Sequence, residues 1–162
     1  MSIIRSHEVR FPEDISFSED TIFFLRYLQY CHSISITDKV GYVYVYRQGT
    51  LSNMRHPIEE LMHKEEVIFP LYEKLFTEET FKRRFMHELS LNVVSKYYFN
   101  EGKNFKWRNQ TILRNIAEKY LNVLDKSILY ISFPLFANYA RWRRRLLKYV
   151  IKGLLHRNPI LC

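Results

Sequence analysis

Hydrophobic positions divide the chain into an N-terminal region of mixed pattern and a longer region that is helical throughout. Residues 19–31 are apolar on most sides of a helix, which is typical of a buried element. Residues 40–46 alternate tyrosine with valine, which indicates a strand with both faces covered or an aromatic face lining a cleft. A second short β-branched run spans residues 33–37. The pattern therefore predicts one buried helix and two short strands before residue 57.

From Pro57 onwards, the apolar residues recur at helical spacing. Pro57 suits a helix start, Thr77 suits the cap of a second helix, and Gly102 suits the end of that helix. A third helix is expected after Asn104, and a last one follows Pro134. We expect four helices, covering residues 57–76, 78–101, 105–124 and 134–156.

Composition places the chain among globular proteins. Its 162 residues are 47% hydrophobic and 16% aromatic, which argues against disorder. Two cysteines make no disulfide framework, residues 1–10 have no secretory pattern, and no run of 18 apolar residues occurs. These features predict a cytoplasmic protein.

Two adjacent carboxylates, Glu19 and Asp20, stand at the head of the apolar helix. A carboxylate held between core elements and partly desolvated is a candidate general base. The alternative is structural, because acids in a first helical turn are favoured by the helix dipole. Ser18 as an N-cap, or Ser16 with Glu19 as a capping box, would complete that structural role.

Two longer runs carry a family resemblance. Residues 11–24 read FPEDISFSEDTIFF, and residues 44–52 read YVYRQGTLS. In this order and at this separation, the two runs resemble the second half of family 2 glycosyltransferases, the bacterial enzymes that build capsular and lipopolysaccharide glycans. The resemblance covers roughly residues 3–53, about a third of the chain.

The resemblance implies a fold and a reaction. The fold would be mostly α with a short β element, the C-terminal portion of an α/β GT-A glycosyltransferase followed by a helical tail. Residues 1–56 would be the acceptor-side remnant of the catalytic domain, and residues 57–162 a helical C-terminal region. The reaction would transfer a sugar from a nucleotide-sugar donor to a glycan or lipid-linked acceptor. Asp20 matches the family's base, and Glu19 is the next candidate.

The second run matches positions near the donor and the acceptor. Arg47 and Ser52 correspond to the loop beside the donor diphosphate, where a guanidinium pairs well with phosphate oxygens. Tyr44 and Tyr46 would form part of a wall that stacks on acceptor sugar rings. A surface arginine at a strand end and ordinary strand packing are the alternatives for these positions.

The donor-binding half of the family has no counterpart in this sequence. That half carries an Asp-x-Asp motif for a divalent metal, but the four aspartates here form no such motif. The six histidines show no helical zinc spacing. We therefore expect no metal bound by this chain alone, although Mg²⁺ or Mn²⁺ is expected for the intact family. The chain would be inactive alone, with its donor-binding half supplied elsewhere, for example by a partner chain.

The C-terminal helix combines basic and apolar residues. Residues 139–162 hold seven Lys and Arg and no acid, and so carry +7 of the net charge of +8. A basic amphipathic helix of this kind is typical of peripheral binding to an anionic membrane, here the inner face of the cell membrane. The alternative is a terminal helix whose apolar side packs on its neighbours. The candidate membrane-binding residues are Arg141, Trp142, Arg144, Arg145, Lys148 and Lys152.

A second function class stays open. The chain could be a non-catalytic basic helical module that binds an anionic membrane or nucleic acid. Nucleic acid is the less favoured partner, because the charge lies at one terminus and no recognised DNA- or RNA-binding motif surrounds it.

Overall fold

The computed structural model describes residues 2–35, 37, 39–43, 56–102 and 105–157. Seven α-helices lie in these ranges, together with one 3₁₀ turn at Trp107–Asn109. The helices are α1 (Ile3–Ser6), α2 (Glu19–Leu28), α3 (Ile58–Leu75), α4 (Glu79–Glu101), α5 (Thr111–Tyr120), α6 (Val123–Ile131) and α7 (Phe133–Arg157). They belong to two compact units, Met1–Glu79 and Thr80–Cys162.

The first unit is built on the packing of α2 against α3. Ile22 and Leu25 of α2 are buried with Ile68 of α3, and Ile15 from the segment before α2 completes the cluster. Burying four such side chains stabilises the unit by roughly 1.5–3 kcal/mol each before the loss of chain entropy is counted. The head of α2 is therefore held by a packed helix pair.

The second unit packs the long helices α4 and α7 with shorter helices. The buried side of α4 carries Met86, Leu91 and Val94, and two core serines on it bond to the helix backbone. Helix α6 packs against α7, and α5 packs against the 3₁₀ turn. Trp107 in that turn is buried and lies edge-on to Tyr130 of α6.

The predicted fold class is wrong. It was mostly α with a short β element, as the C-terminal portion of an α/β GT-A glycosyltransferase, but all regular elements of the described residues are helical and no strand forms there. Residues 33–35, 37 and 40–43 of the expected strand pair are exposed, and residues 36 and 44–46 lie outside the described part. A strand needs a neighbour to pair its backbone groups, and the described residues provide no sheet.

The helix predictions differ in their outcome. The helices expected over 57–76, 78–101 and 134–156 are confirmed as α3, α4 and α7, and Gly102 ends α4 at φ 80°. The prediction of one continuous third helix was wrong, since α5 ends at Tyr120 and a separate helix, α6, begins at Val123. The cause is local, because the Asn122 side chain accepts the Asp125 N–H at 2.8 Å and caps a new helix there.

Helix α2 is buried on one side rather than all round. Ile22 and Leu25 face the core, but Phe24 remains 53% exposed, as does Phe11, which stacks on Phe23. The prediction of a fully buried helix therefore fails for the described residues. The apolar outer side of α2 is an exposed surface of the first unit.

Candidate functional site

The carboxylate pair lies where the sequence placed it, at the first two positions of α2. Asp20 is exposed and Glu19 is half-buried. One turn further on, Ile22 is completely buried, so the pair is fixed to the surface end of a packed helix. The base interpretation requires a partly desolvated carboxylate. The described residues leave Asp20 exposed and so do not provide that desolvation.

Contacts at the head of α2 also fit the structural interpretation. Oδ1 of Asp20 accepts the Thr21 N–H at 2.7 Å and the Thr21 hydroxyl at 3.3 Å. Amides of a first turn lack helical partners, so this contact stabilises the helix start. Ser18 lies in the left-handed region at φ 59° and makes no capping bond with its side chain. A carboxylate anchored by one oxygen and open to solvent is compatible with both roles.

The candidate donor and acceptor residues cannot be placed beside Asp20. Arg47, Ser52, Tyr44 and Tyr46 all lie outside the described residues. Their roles therefore stay predictions.

An aspartate–histidine contact connects the motif that precedes α2 to α3. Oδ2 of Asp14 lies 2.8 Å from Nε2 of His63, and both side chains are exposed. The hydrogen bond to His63 lowers the pKa of the Asp14 carboxyl. The contact ties the segment bearing the first motif to the helix that supports α2, although exposed pairs contribute little stability.

The candidate membrane-binding residues are largely exposed. Arg144, Arg145 and Lys148 are open to solvent, and Trp142 is 60% exposed. Arg141 is exposed, and its guanidinium lies over the Phe99 ring at 3.8 Å from the centroid. Lys152 lies in α7, but its side chain is outside the described part.

A buried polar cluster in the second unit was missed by the sequence reasoning. It joins α4, α6 and α7 through His87, Glu88, Asn122, Asp125, Tyr139 and Arg143. Asp125 is completely buried, and its Oδ2 lies 2.5 Å from Nε2 of His87. The same His87 nitrogen lies 3.1 Å from Nδ2 of Asn122, so Nε2 contacts both side chains. Such a pair in a core needs its partners, since each buried charge alone is costly.

Arginine extends this cluster towards the surface. Nη2 of Arg143 lies 2.5 Å from Oε1 of Glu88, and Nη1 lies 3.9 Å from Oδ2 of Asp125. Burial and the negative charge of Asp125 raise the pKa of the Tyr139 hydroxyl. The described side chains place no serine, cysteine or threonine in these contacts to act as a nucleophile. The contacts of the cluster join α4, α6 and α7.

One sequence signal could have indicated this cluster. Asp125 stands four residues after Leu121 and four before Leu129, the spacing of one helix side, and Asn122 stands three residues before it. An acid on an apolar helix side predicts a buried partner. The partner could not be identified, because His87 lies 38 residues away in the sequence.

Metal-binding groups and membrane-spanning helices are both absent from the described residues. No group of three or more His, Cys, Asp or Glu side chains is arranged there to hold a metal ion. Among the described helices, none combines the length and apolarity needed to cross a bilayer. Comparison of the chain with family models, curated proteins and solved structures gives no significant match.

Proposed function

We propose that this chain supplies the acceptor side of a glycosyl-transfer site, with Asp20 as the base. In this proposal, the nucleotide-sugar is bound by polypeptide outside these residues. The observation that carries the proposal is the occurrence of the runs 11–24 and 44–52 in the order and at the separation of the glycosyltransferase family. Arg47 and Ser52 would contact the donor diphosphate, and Tyr44 and Tyr46 would contact acceptor sugars.

In this reaction, Asp20 would accept one proton. An acceptor hydroxyl gives its proton to the carboxylate while its oxygen bonds to the anomeric carbon. The bond to the diphosphate breaks, and the nucleoside diphosphate leaves with the electron pair. A positioned base contributes typically 10²–10⁴-fold to such a step.

Two features of the first unit support this role. Asp20 is accessible to a saccharide, and the buried Ile22 and Leu25 hold its helix in place. The exposed rings of Phe11 and Phe24 form an apolar surface on the same unit, which a covering polypeptide would bury. The exposed Asp20 carboxylate is hydrated, and such a cover would also exclude that water.

An NMR titration of the ¹⁵N-labelled full chain tests the acceptor role. A panel of oligosaccharides is added to roughly 10 mM, ten times the usual upper KM. We expect at least one saccharide to shift the amides of residues 18–21 saturably, with little change at the exposed Asp14 and His63. If no saccharide shifts these amides, the chain has no acceptor site there, and the non-catalytic basic module is the better account.

A further inference from the structure

The two halves of α7 have different surroundings. Between Phe133 and Ala140, the helix buries Phe133, Phe136, Ala137 and Ala140 in the second unit. From Arg141 to Tyr149, every side chain except the half-buried Arg143 is exposed. Between Arg141 and Tyr149, α7 is therefore a helix with nearly all sides open.

Apolar residues form a stripe along this open half. Trp142, Leu146 and Tyr149 recur at helical spacing and are between 47% and 74% exposed. Leu135, two turns before Trp142 on the same side and within the first half of α7, is also exposed and extends the stripe. The core residues Phe136 and Ala140 lie on the opposite side by the same helical geometry. These four residues are hereafter called the apolar stripe.

Cations lie along one edge of the apolar stripe. Arg141, Arg145 and Lys148 recur at the same spacing and are all exposed. No acid occurs anywhere in residues 139–162. A partner of this helix must therefore tolerate both a dense positive charge and a row of exposed apolar side chains.

We propose that the second half of α7 lies in the headgroup region of an anionic membrane, with the apolar stripe inserted. Anionic lipids neutralise the basic edge, and tryptophan and tyrosine are the side chains most suited to a membrane–water interface. Nucleic acid would match the charge but would leave the apolar stripe in water. A second copy of the chain would bring two strongly basic helices together, which their repulsion disfavours.

Co-sedimentation of the full chain with lipid vesicles tests this proposal. One set of vesicles is phosphatidylcholine, and the other contains about one-third phosphatidylglycerol, an anionic surface of the kind that attracts basic segments. We expect binding to the anionic vesicles alone, weakened by salt. We also expect the fluorescence of Trp142 to shift to shorter wavelength and to be quenched by brominated lipid. Trp142→Phe should remove this signal and leave only the emission of the buried Trp107, which vesicles and brominated lipid should not change.

Charge variants identify the surface that binds. The triple variant Arg141→Gln, Arg145→Gln, Lys148→Gln should bind about 100-fold less tightly, at roughly fivefold for each cation. The matched control is Arg83→Gln, Arg84→Gln, Lys96→Gln, which removes two exposed arginines and one exposed lysine from α4 of the same unit. The control should bind within about twofold of the parent chain.

An apolar variant separates a membrane from other anionic partners. Trp142→Ser with Leu146→Ser changes exposed positions, so circular dichroism should show an unchanged fold. Vesicle binding should fall at least tenfold. The proposal is overturned if anionic vesicles do not bind, if the control triple weakens binding as much as the α7 triple, or if the apolar variant binds vesicles normally. Tighter binding to duplex DNA than to vesicles, unaffected by the apolar variant, would assign α7 to nucleic acid.

Discussion

Two aspartate–histidine pairs show how burial changes the contribution of the same contact to the free energy of unfolding. Asp14 and His63 meet at 2.8 Å on the surface, and Asp125 and His87 meet at 2.5 Å around a completely buried carboxylate. Water screens the first pair and replaces either partner at little cost. In the second pair, both partners are largely buried, so removal of one leaves the other in the core without its hydrogen-bond partner.

Asp125→Ala should therefore destabilise the second unit by about 3 kcal/mol, because His87 and Arg143 lose their buried partner. Urea unfolding followed by tryptophan fluorescence measures this loss, since both tryptophans lie in the second unit. Asp14→Ala is the matched control. Its urea unfolding, followed by circular dichroism because the first unit holds no tryptophan, should show no measurable loss of stability. Equal effects of the two substitutions would contradict the structural role given to the buried cluster.

At the scale of elements, apolar periodicity predicted the helices α3, α4 and α7 because each buries a continuous side. It failed at residues 121–122, where a single asparagine side chain ends one helix and starts another. It also failed at residues 33–43, where alternation predicted strands that the described residues do not form. A strand depends on a partner that local sequence does not specify, whereas a helix pairs its own backbone. The head of α2 was predictable for the same reason, but the contacts of its side chains were not.

The cap at Asn122 gives a test at this scale. Asn122→Ala should destabilise the second unit by about 1 kcal/mol, through loss of the bond to the Asp125 N–H. The control is Asn138→Ala within α7, where the exposed amide bonds only to the Pro134 carbonyl one turn earlier. Thermal unfolding should distinguish the two variants. If Asn138→Ala costs as much as Asn122→Ala, the cap does not account for the helix break.

At the scale of the whole chain, each unit exposes apolar side chains among its described residues. The first unit exposes Phe11 and Phe24, and the second exposes the apolar stripe of α7 with its basic edge. The proposed functions assign these surfaces to different partners, a donor-binding polypeptide and an anionic membrane. Neither assignment depends on the other.

A donor-binding test follows from this division. UDP-sugars added with Mg²⁺ or Mn²⁺ should leave the thermal unfolding of the full chain unchanged, because a ligand stabilises a protein only by binding its folded state. Inorganic pyrophosphate with the same metals controls for weak binding of anions by basic α7. A saturable stabilisation by UDP-sugars beyond that control would place a donor site within this chain.

The acceptor affinity of Asp20→Asn tests the central claim most directly. Asparagine can retain the bond to the Thr21 N–H through its side-chain oxygen, so the substitution removes the charge while preserving the head of α2. For a saccharide that binds the parent chain, we predict about tenfold weaker binding, as expected for loss of a hydrogen bond to a charged group. Asp14→Asn should bind normally. Equal affinity for the parent chain and Asp20→Asn would leave Asp20 with its structural role alone.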